Sequence, residues 1–323
     1  VLELTFSARD LAYTRLAVSP MWEVVTSLRT LNSPAPRPLH RRWVARTRPR
    51  VAEAGLTSGL LAGLIPEHGY LPDFLNPPPE TAEPTLAVEL DRIAATPYER
   101  IRAELTRLPS WTPAVRSLHD DPGAGLDRLL PEIDAYWEAA LAAHWPRLRG
   151  VLEADVLHQS RRFAAEGYAA VLRELHPQVG WGDEILTLQT CCGGSGELEG
   201  RGLLLMPSAF VWPSVLVVNV APAAAQLCYP SRGVGALWEQ AAPEVPQAVA
   251  AVLGRSRALL LTELSAPAST TELARRTGMS AGGISEHLTA LRAAGIVSSQ
   301  RSGRSVLYRR TSVADTLLAA AGA

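Results

Sequence analysis

The sequence predicts an α+β chain in two parts. A mostly helical N-terminal domain with a small antiparallel sheet is expected over residues 1–242, and a C-terminal helical module with one basic hairpin over residues 243–323. Three observations lead there. The 323 residues are 47% hydrophobic and 20% charged, enough for one sizeable core and one small one. Apolar periodicity is helical up to about Leu175, turns to short Val- and Leu-rich strands, and becomes helical again after the proline-bearing stretch Ala241 to Pro246. The net charge of −1 conceals a division: from Pro246 to Ala323 nine arginines face four acids, a balance of +5 that leaves −6 for the remainder. A small basic module joined to a larger acidic one is the pattern of a nucleic-acid binder.

Residues 1–6 alternate apolar at Leu2, Leu4 and Phe6, as a half-buried strand does. Ser19 before Pro20 is an N-cap followed by a proline in the first helical turn. A proline-rich connection then carries Arg37, Arg41, Arg42, Arg46, Arg48 and Arg50 without an acid, which reads as a solvated helix face or a contact for DNA or another anion. Helical spacing covers 87–108 and 126–175, where Trp137, Leu141, Trp145, Leu148 and Leu152 form a core stripe. Strands follow at 185–188, 203–206, 215–218 and 226–229, separated by Gly- and Pro-rich turns. Gly193-Gly194-Ser195-Gly196 lies between them and reads as a hairpin loop, since it lacks the lysine and the following helix of a phosphate cradle. Residues 202–231 hold no charge, but Pro207, Pro213, Pro222 and Asn219 interrupt them, so a buried strand region is expected and no membrane span.

Helical pattern resumes over 248–264. Ser269-Thr270-Thr271-Glu272 is a capping box that starts a short helix ending at Gly278. Ser280 caps a second helix, whose Ile284, Leu288 and Leu291 make an apolar stripe up to Gly295. Helix, glycine turn, helix is the spacing of a helix-turn-helix. Residues 296–300 and 305–310 then alternate as strands around the basic tip Arg301-Ser302-Gly303-Arg304, and a last helix spans 313–320. That order is a winged helix-turn-helix.

At this point the chain resembles a known family. TELARRTGMSAGGISEHLTALRAAGIVSSQRSGRSVLYRR is similar to the ArsR-type winged helix of bacterial repressors through Leu273-Ala274, Ser280, Ile284-Ser285, His287-Leu288, Leu291, Ala294 to Val297, Gly303-Arg304 and Tyr308. The preceding residues resemble an uncharacterised domain that accompanies such winged helices in high-GC Gram-positive bacteria, through LAVSPMWEVVTSLR, GYLPDF and GLLLMPSAFVWP. The resemblance implies a homodimer on a double-stranded DNA operator. The second motif helix then enters the major groove with its N-terminal half against base edges. Candidate contacts are Ser280, Ala281, Gly282, Gly283, Ser285, Glu286 and Thr289, with Arg292 placed for a phosphate and His287 for packing or a phosphate bond. Ser285 can donate or accept, and Glu286 can accept from a cytosine amino group. Arg301 and Arg304, at the hairpin tip, suit a minor groove or a phosphate.

Other chemistries are poorly served. All 31 basic residues are arginine, which excludes Schiff-base, pyridoxal and phosphate-loop lysine mechanisms. Metal-sensing members of the family often place a Cys-x-Cys pair where this chain has Ser269 and Thr271, and others use histidines on a last helix that here offers only Asp315; no metal or cofactor is therefore expected. Cys191, Cys192 and Cys228 leave a thiol sensor of arsenite or a soft metal as one alternative, beside their reading as small buried residues. The histidines are scattered and no HExxH or GxSxG pattern occurs, so no catalytic residue is assigned and an enzyme is a further alternative only. Three cysteines and an N-terminus without a cationic start or apolar run predict a cytoplasmic protein.

A winged helix does not need some 240 additional residues to dimerise. The large domain is therefore expected to hold an apolar effector pocket where strands meet helices, with Phe210, Trp212, Tyr229 and Trp238 as lining residues. The competing reading is a ligand-free dimerisation or protein-interaction module. The expectation as a whole is a homodimeric repressor relieved by a small molecule.

Overall fold

The computed structural model describes residues 1–34, 38–189, 193–237, 247–265, 267–302 and 305–320. They fall into two units, Val1–Trp238 and Glu239–Ala323, and the class is the α+β one expected. In chain order the first unit holds β1 (Leu2–Thr5), α1 (Ala8–Tyr13), β2 (Arg15–Leu16), α2 (Pro20–Asn32), α3 (Arg41–Glu53), α4 (Leu60–Leu64), α5 (Leu86–Ala94), α6 (Tyr98–Leu105), α7 (Pro113–Asp120), α8 (Pro122–Ala140), α9 (Trp145–Glu166) and α10 (Tyr168–Glu174). The strands β3 (Val179–Gly182), β4 (Ile185–Leu188), β5 (Gly194–Glu197), β6 (Leu203–Ser208), β7 (Leu216–Val218) and β8 (Ala225–Pro230) follow. Among the described residues no helix is long and apolar enough to cross a membrane.

The two long helical stretches are cut where the backbone demands it. Pro97 separates α5 from α6, and Gly167, at φ +80°, separates α9 from α10 in a conformation that glycine adopts without a Cβ clash. Asp121 starts α8 by accepting from Ala124 N–H at 3.1 Å.

The unit is organised around α2. Ser19 Oγ accepts from Trp22 N–H at 3.1 Å and Pro20 takes the first turn. The helix is buried nearly all round, its polar Glu23, Thr26, Ser27 and Thr30 included. Met21, Val24, Val25 and Leu28 face the helical core built with α3, α4 and α6–α8, while Trp22 faces Leu204, Met206, Val218 and Cys228 of the sheet.

The strands, expected as one small antiparallel sheet, form two mixed sheets of four. One has the order β3-β4-β1-β5, with β1 antiparallel to β4 and parallel to β5. The other has the order β2-β6-β8-β7, in which β2, β6 and β8 run parallel and only β7 is antiparallel. The second sheet is the middle layer of the unit. Leu203, Leu205, Leu227 and Tyr229 point to a core shared with the first sheet, and Leu204, Met206 and Cys228 point to α2. Strands covered on both faces read as unbroken apolar runs, which is the character of 203–206. Gly193 to Gly196 is corrected as well: Gly194–Glu197 is strand β5, its glycine-rich backbone paired in register with Leu2 to Thr5.

Candidate nucleic-acid interface

The second unit holds α11 (Gln247–Leu253), α12 (Arg255–Glu263), β9 (Ala268–Ser269), α13 (Thr270–Thr277), α14 (Ala281–Ala293), β10 (Val297–Ser302), β11 (Ser305–Arg310) and α15 (Ser312–Ala320). Its core joins Leu260 and Leu264 of the α12 region, Leu273 of α13, and Ile284, Leu288 and Leu291 of α14, so the predicted stripe is the buried one. Gly254, at φ +82°, splits the helix expected over 248–264.

The caps fix how α13 and α14 meet. Ser269 Oγ accepts from Glu272 N–H at 3.3 Å, but the Glu272 carboxylate pairs with Arg276 instead of returning to the cap, so only half of the predicted box forms. Gly278 ends α13 in the left-handed conformation, at φ +73°, and Ser280 Oγ then accepts from Gly283 N–H at 3.2 Å to open α14. With the apolar stripe packed inward, the other face of α14 is left to solvent. Ala281, Gly282, Ser285, Glu286 and Thr289 are exposed on it, together with the cap Ser280; Gly283 and His287 are half-buried at its edge. The Thr289 hydroxyl donates to Ser285 C=O at 2.8 Å. A Cβ built on Gly282 would meet nothing within 4 Å.

The wing is a three-stranded sheet in the order β10-β11-β9, and β10 pairs with β11 from Val297↔Arg310 to Ser302↔Ser305. Arg301 is exposed on β10, while Arg304 lies outside the described residues. Arg292 is exposed and donates to Ser299 Oγ at 3.4 Å, which ties the end of α14 to the wing. Two exposed cations escaped the sequence reading. Arg275 sits in the last turn of α13, the helix that crosses the DNA backbone in such motifs, and Arg309 donates from β11 to Ser298 Oγ at 3.0 Å. The position of Arg275 after the capping box was a usable signal; that of Arg309 depended on the strand register.

Small side chains, one acid, a helix N-terminus and flanking arginines can read base edges and hold phosphates. The comparison with known proteins agrees with the geometry, because residues 255–299 match the family model described as "Bacterial regulatory protein, arsR family". The second unit carries an arsR-family helix-turn-helix. Residues 101–234, inside the first unit, match a family of unknown function, DUF5937. Among curated proteins, the HTH-type transcriptional regulator NmtR of Mycobacterium tuberculosis is 38% identical over 73 residues, which is 22% of this chain and 61% of that relative. The chain thus spans less than two thirds of the relative's length. No solved structure matches it.

In the first unit the four aromatic candidates are not gathered into one site. Phe210 is 1% exposed and its ring packs tilted against Trp43, centroids 4.5 Å apart, beside a cavity. Tyr229 is 1% exposed in the inter-sheet core and donates to Asp155 Oδ2 at 2.7 Å. Trp212 is 40% exposed at the surface, and Trp238 lies outside the described residues. Cys228 is buried against α2, where burial pushes its thiol well above the usual range; Cys191 and Cys192 lie outside the described residues. Arg41, Arg42, Arg46, Arg48 and Arg50 share the exposed face of α3 opposite buried Trp43, Val44, Thr47 and Val51, as a solvated face does, and Arg37 is outside the described residues.

Proposed function

We propose that the protein is a homodimeric, cytoplasmic transcription regulator that represses by binding operator DNA through α14 and the wing, and that a small molecule in the N-terminal unit relieves repression. The observation that carries the DNA-binding reading is the exposed face of α14, with small residues at its N-terminal half and arginines beside it, in a unit matched by the arsR family. The proposed base contacts come from Ser285 and Glu286, backbone approach is allowed by Ala281, Gly282 and Gly283, and phosphates are held by Ser280, Arg292, Arg301 and Arg304, with His287 in support. NmtR, named as a transcriptional regulator, supports the same assignment.

Release follows from a population shift, in which the effector favours a dimer geometry whose half-site spacing no longer matches the operator. Sensing is favoured over a ligand-free assembly module by a cavity of about 490 Å³ in the first unit, within the range of small-molecule sites. The test is footprinting of the full-length protein on its own chromosome, followed by gel shift on the recovered sites. A palindromic site bound at least about a thousandfold tighter than random DNA supports the reading, and equal affinity for both refutes it.

A further inference from the structure

The run of arginines that the helix-turn-helix does not use becomes one surface in the fold. The helix α3 carries Arg41, Arg42, Arg46, Arg48 and Arg50 on its exposed face and a single acid, Glu53, in its last turn. The side chains of Arg41, Arg42 and Arg50 have no ion-pair or hydrogen-bond partner among the described residues, and neither has that of Glu53. Arg48 donates to the carbonyls of Leu31 and Ser33 at 2.8 and 3.3 Å, which holds the side chain and leaves its charge unneutralised. A second element joins them. Arg147 is exposed at the start of α9. Burial lowers the pKa of half-buried His144 just before that helix, and the charges of Arg50, Arg46 and Arg147 lower it further, with no carboxylate acting in the opposite sense. Cations from α3 and α9, far apart in sequence, therefore meet at one place.

Within the chain this arrangement is unfavourable. Arg42, Arg46 and Arg50 follow at i, i+4 and i+8, a spacing at which like charges destabilise a helix. Arg41 and Arg42 occupy the first turn, the end at which the helix dipole disfavours cations, and no acid offsets them there. The residues before Pro246 carry a balance of −6, so the positive face is a local concentration and not part of an overall excess. It runs for about 20 Å along the helix, longer than a small anion can engage. Guanidinium forks bind phosphate oxygens in pairs, and the same chain carries an arsR-family helix-turn-helix, which raises the local concentration of a duplex at this surface. We propose that the arginine face of α3, with Arg147, holds the phosphate backbone of double-stranded DNA flanking the operator, so that the first unit adds sequence-independent contacts to those of α14 and the wing. The proposal rests on the operator-binding reading of the second unit and gives the first unit a part in the same complex.

The test is fluorescence anisotropy of the full-length protein on two duplexes, one ending at the palindrome that binding selection defines, the other extended by unrelated sequence for about two helical turns on each side. The parent should bind the long duplex more tightly, with a salt slope steeper by about 0.9 for each phosphate held. Three such contacts make the long-to-short affinity ratio fall roughly fortyfold between 50 and 200 mM salt. The variant Arg41→Gln/Arg42→Gln/Arg50→Gln should lose this advantage while keeping the parent's affinity for the short duplex and its base preference. It should also melt no lower than the parent without DNA, a result that a structural role for these arginines would not give. The length dependence of the parent stands as a test even if the variant folds poorly. Equal affinity and slope on the two duplexes would overturn the proposal, and so would a variant that keeps the advantage, which would assign the face to another partner such as an acidic protein. Tight binding of the palindrome with no gain from the flanks refutes the α3 contact alone. A palindrome bound no better than random DNA refutes the operator reading instead, and the affinity and salt slope of parent and variant on long random duplex then decide the α3 contact.

Discussion

Replacing Glu23 with glutamine should remove most of the alkaline destabilisation of the N-terminal unit. Glu23 is 0% exposed in the first turn of α2, and both carboxyl oxygens accept from Ala209 N–H at 3.2 Å. Burial pushes its pKa up to about 8, against the hydrogen bonds from Ser208 and Ala209, which favour the charged form. The folded protein therefore binds this proton more tightly than the unfolded chain does. The associated stability is complete below the unfolded value of 4.5 and is lost as pH rises towards 8. Linkage of ~1.4 kcal/mol per pH unit, less the part-titration of the folded group near its own pKa, gives a loss of roughly 2 kcal/mol between about pH 6 and about pH 8.

Glutamine imitates the protonated acid and cannot ionise. The assay is urea unfolding of the full chain followed by tryptophan fluorescence, since all eight tryptophans lie between Trp22 and Trp238 and report the first unit alone. The difference between parent and Glu23→Gln carries the result. Glu89, pushed by burial to about 7, adds its own decline, and burial of His144, His158 and His176 lowers their pKa values and acts in the opposite sense near neutrality, in both proteins alike. Parallel curves would show that Glu23 is ionised in the folded state and would refute the argument.

Three further outcomes test the DNA interface. Gly282→Ala should stabilise the second unit by up to about 1 kcal/mol, because the new Cβ meets nothing in the chain, while weakening operator binding; thermal melts and gel shifts giving the same sign would refute close backbone approach. Arg301→Ala with Arg304→Ala should weaken binding to all sequences and lower the salt slope by about 1 per lost phosphate contact, and an unchanged slope would refute the wing assignment. Ser285→Ala and Glu286→Ala should each cost roughly 1–3 kcal/mol at one base pair in binding selections, whereas a loss shared equally by random DNA would show that neither residue reads bases.

What the sequence disclosed was local. Ser19, Ser269 and Ser280 cap their helices through bonds spanning three residues, and the Ile284, Leu288, Leu291 stripe needs only helical period; such signals are local in the chain. Sheet pairing does not. Leu2 opposes Leu188 on one side and Gly194 on the other, and nothing near any of the three specifies the partner or its direction. The interface residues of α14 were legible for the same reason as its stripe, being its complement on the helix. The cavity was not: Asn76, in Leu75-Asn76-Pro77, has the appearance of an ordinary turn residue, and only the fold brings it to Trp22 and Gln226.

Gly282 and Asn76 share a physical property that separates them from the residues around them. Alanine at 282 would lengthen helix propensity at no steric cost, and leucine at 76 would remove two unpartnered buried atoms, so each residue present is the less stable choice within the chain. Gln159 Oε1 is likewise buried without a partner, whereas other polar groups are held within the fold. Glu23 is destabilised by burial yet holds Ala209, Tyr229 brings its hydroxyl to Asp155, and Cys228 fills the space between β8 and α2. A solvent-facing residue that lowers stability without an internal partner is explained by a partner outside the chain. Gly282 faces solvent on α14, where the proposed partner is a polyanion that meets backbone.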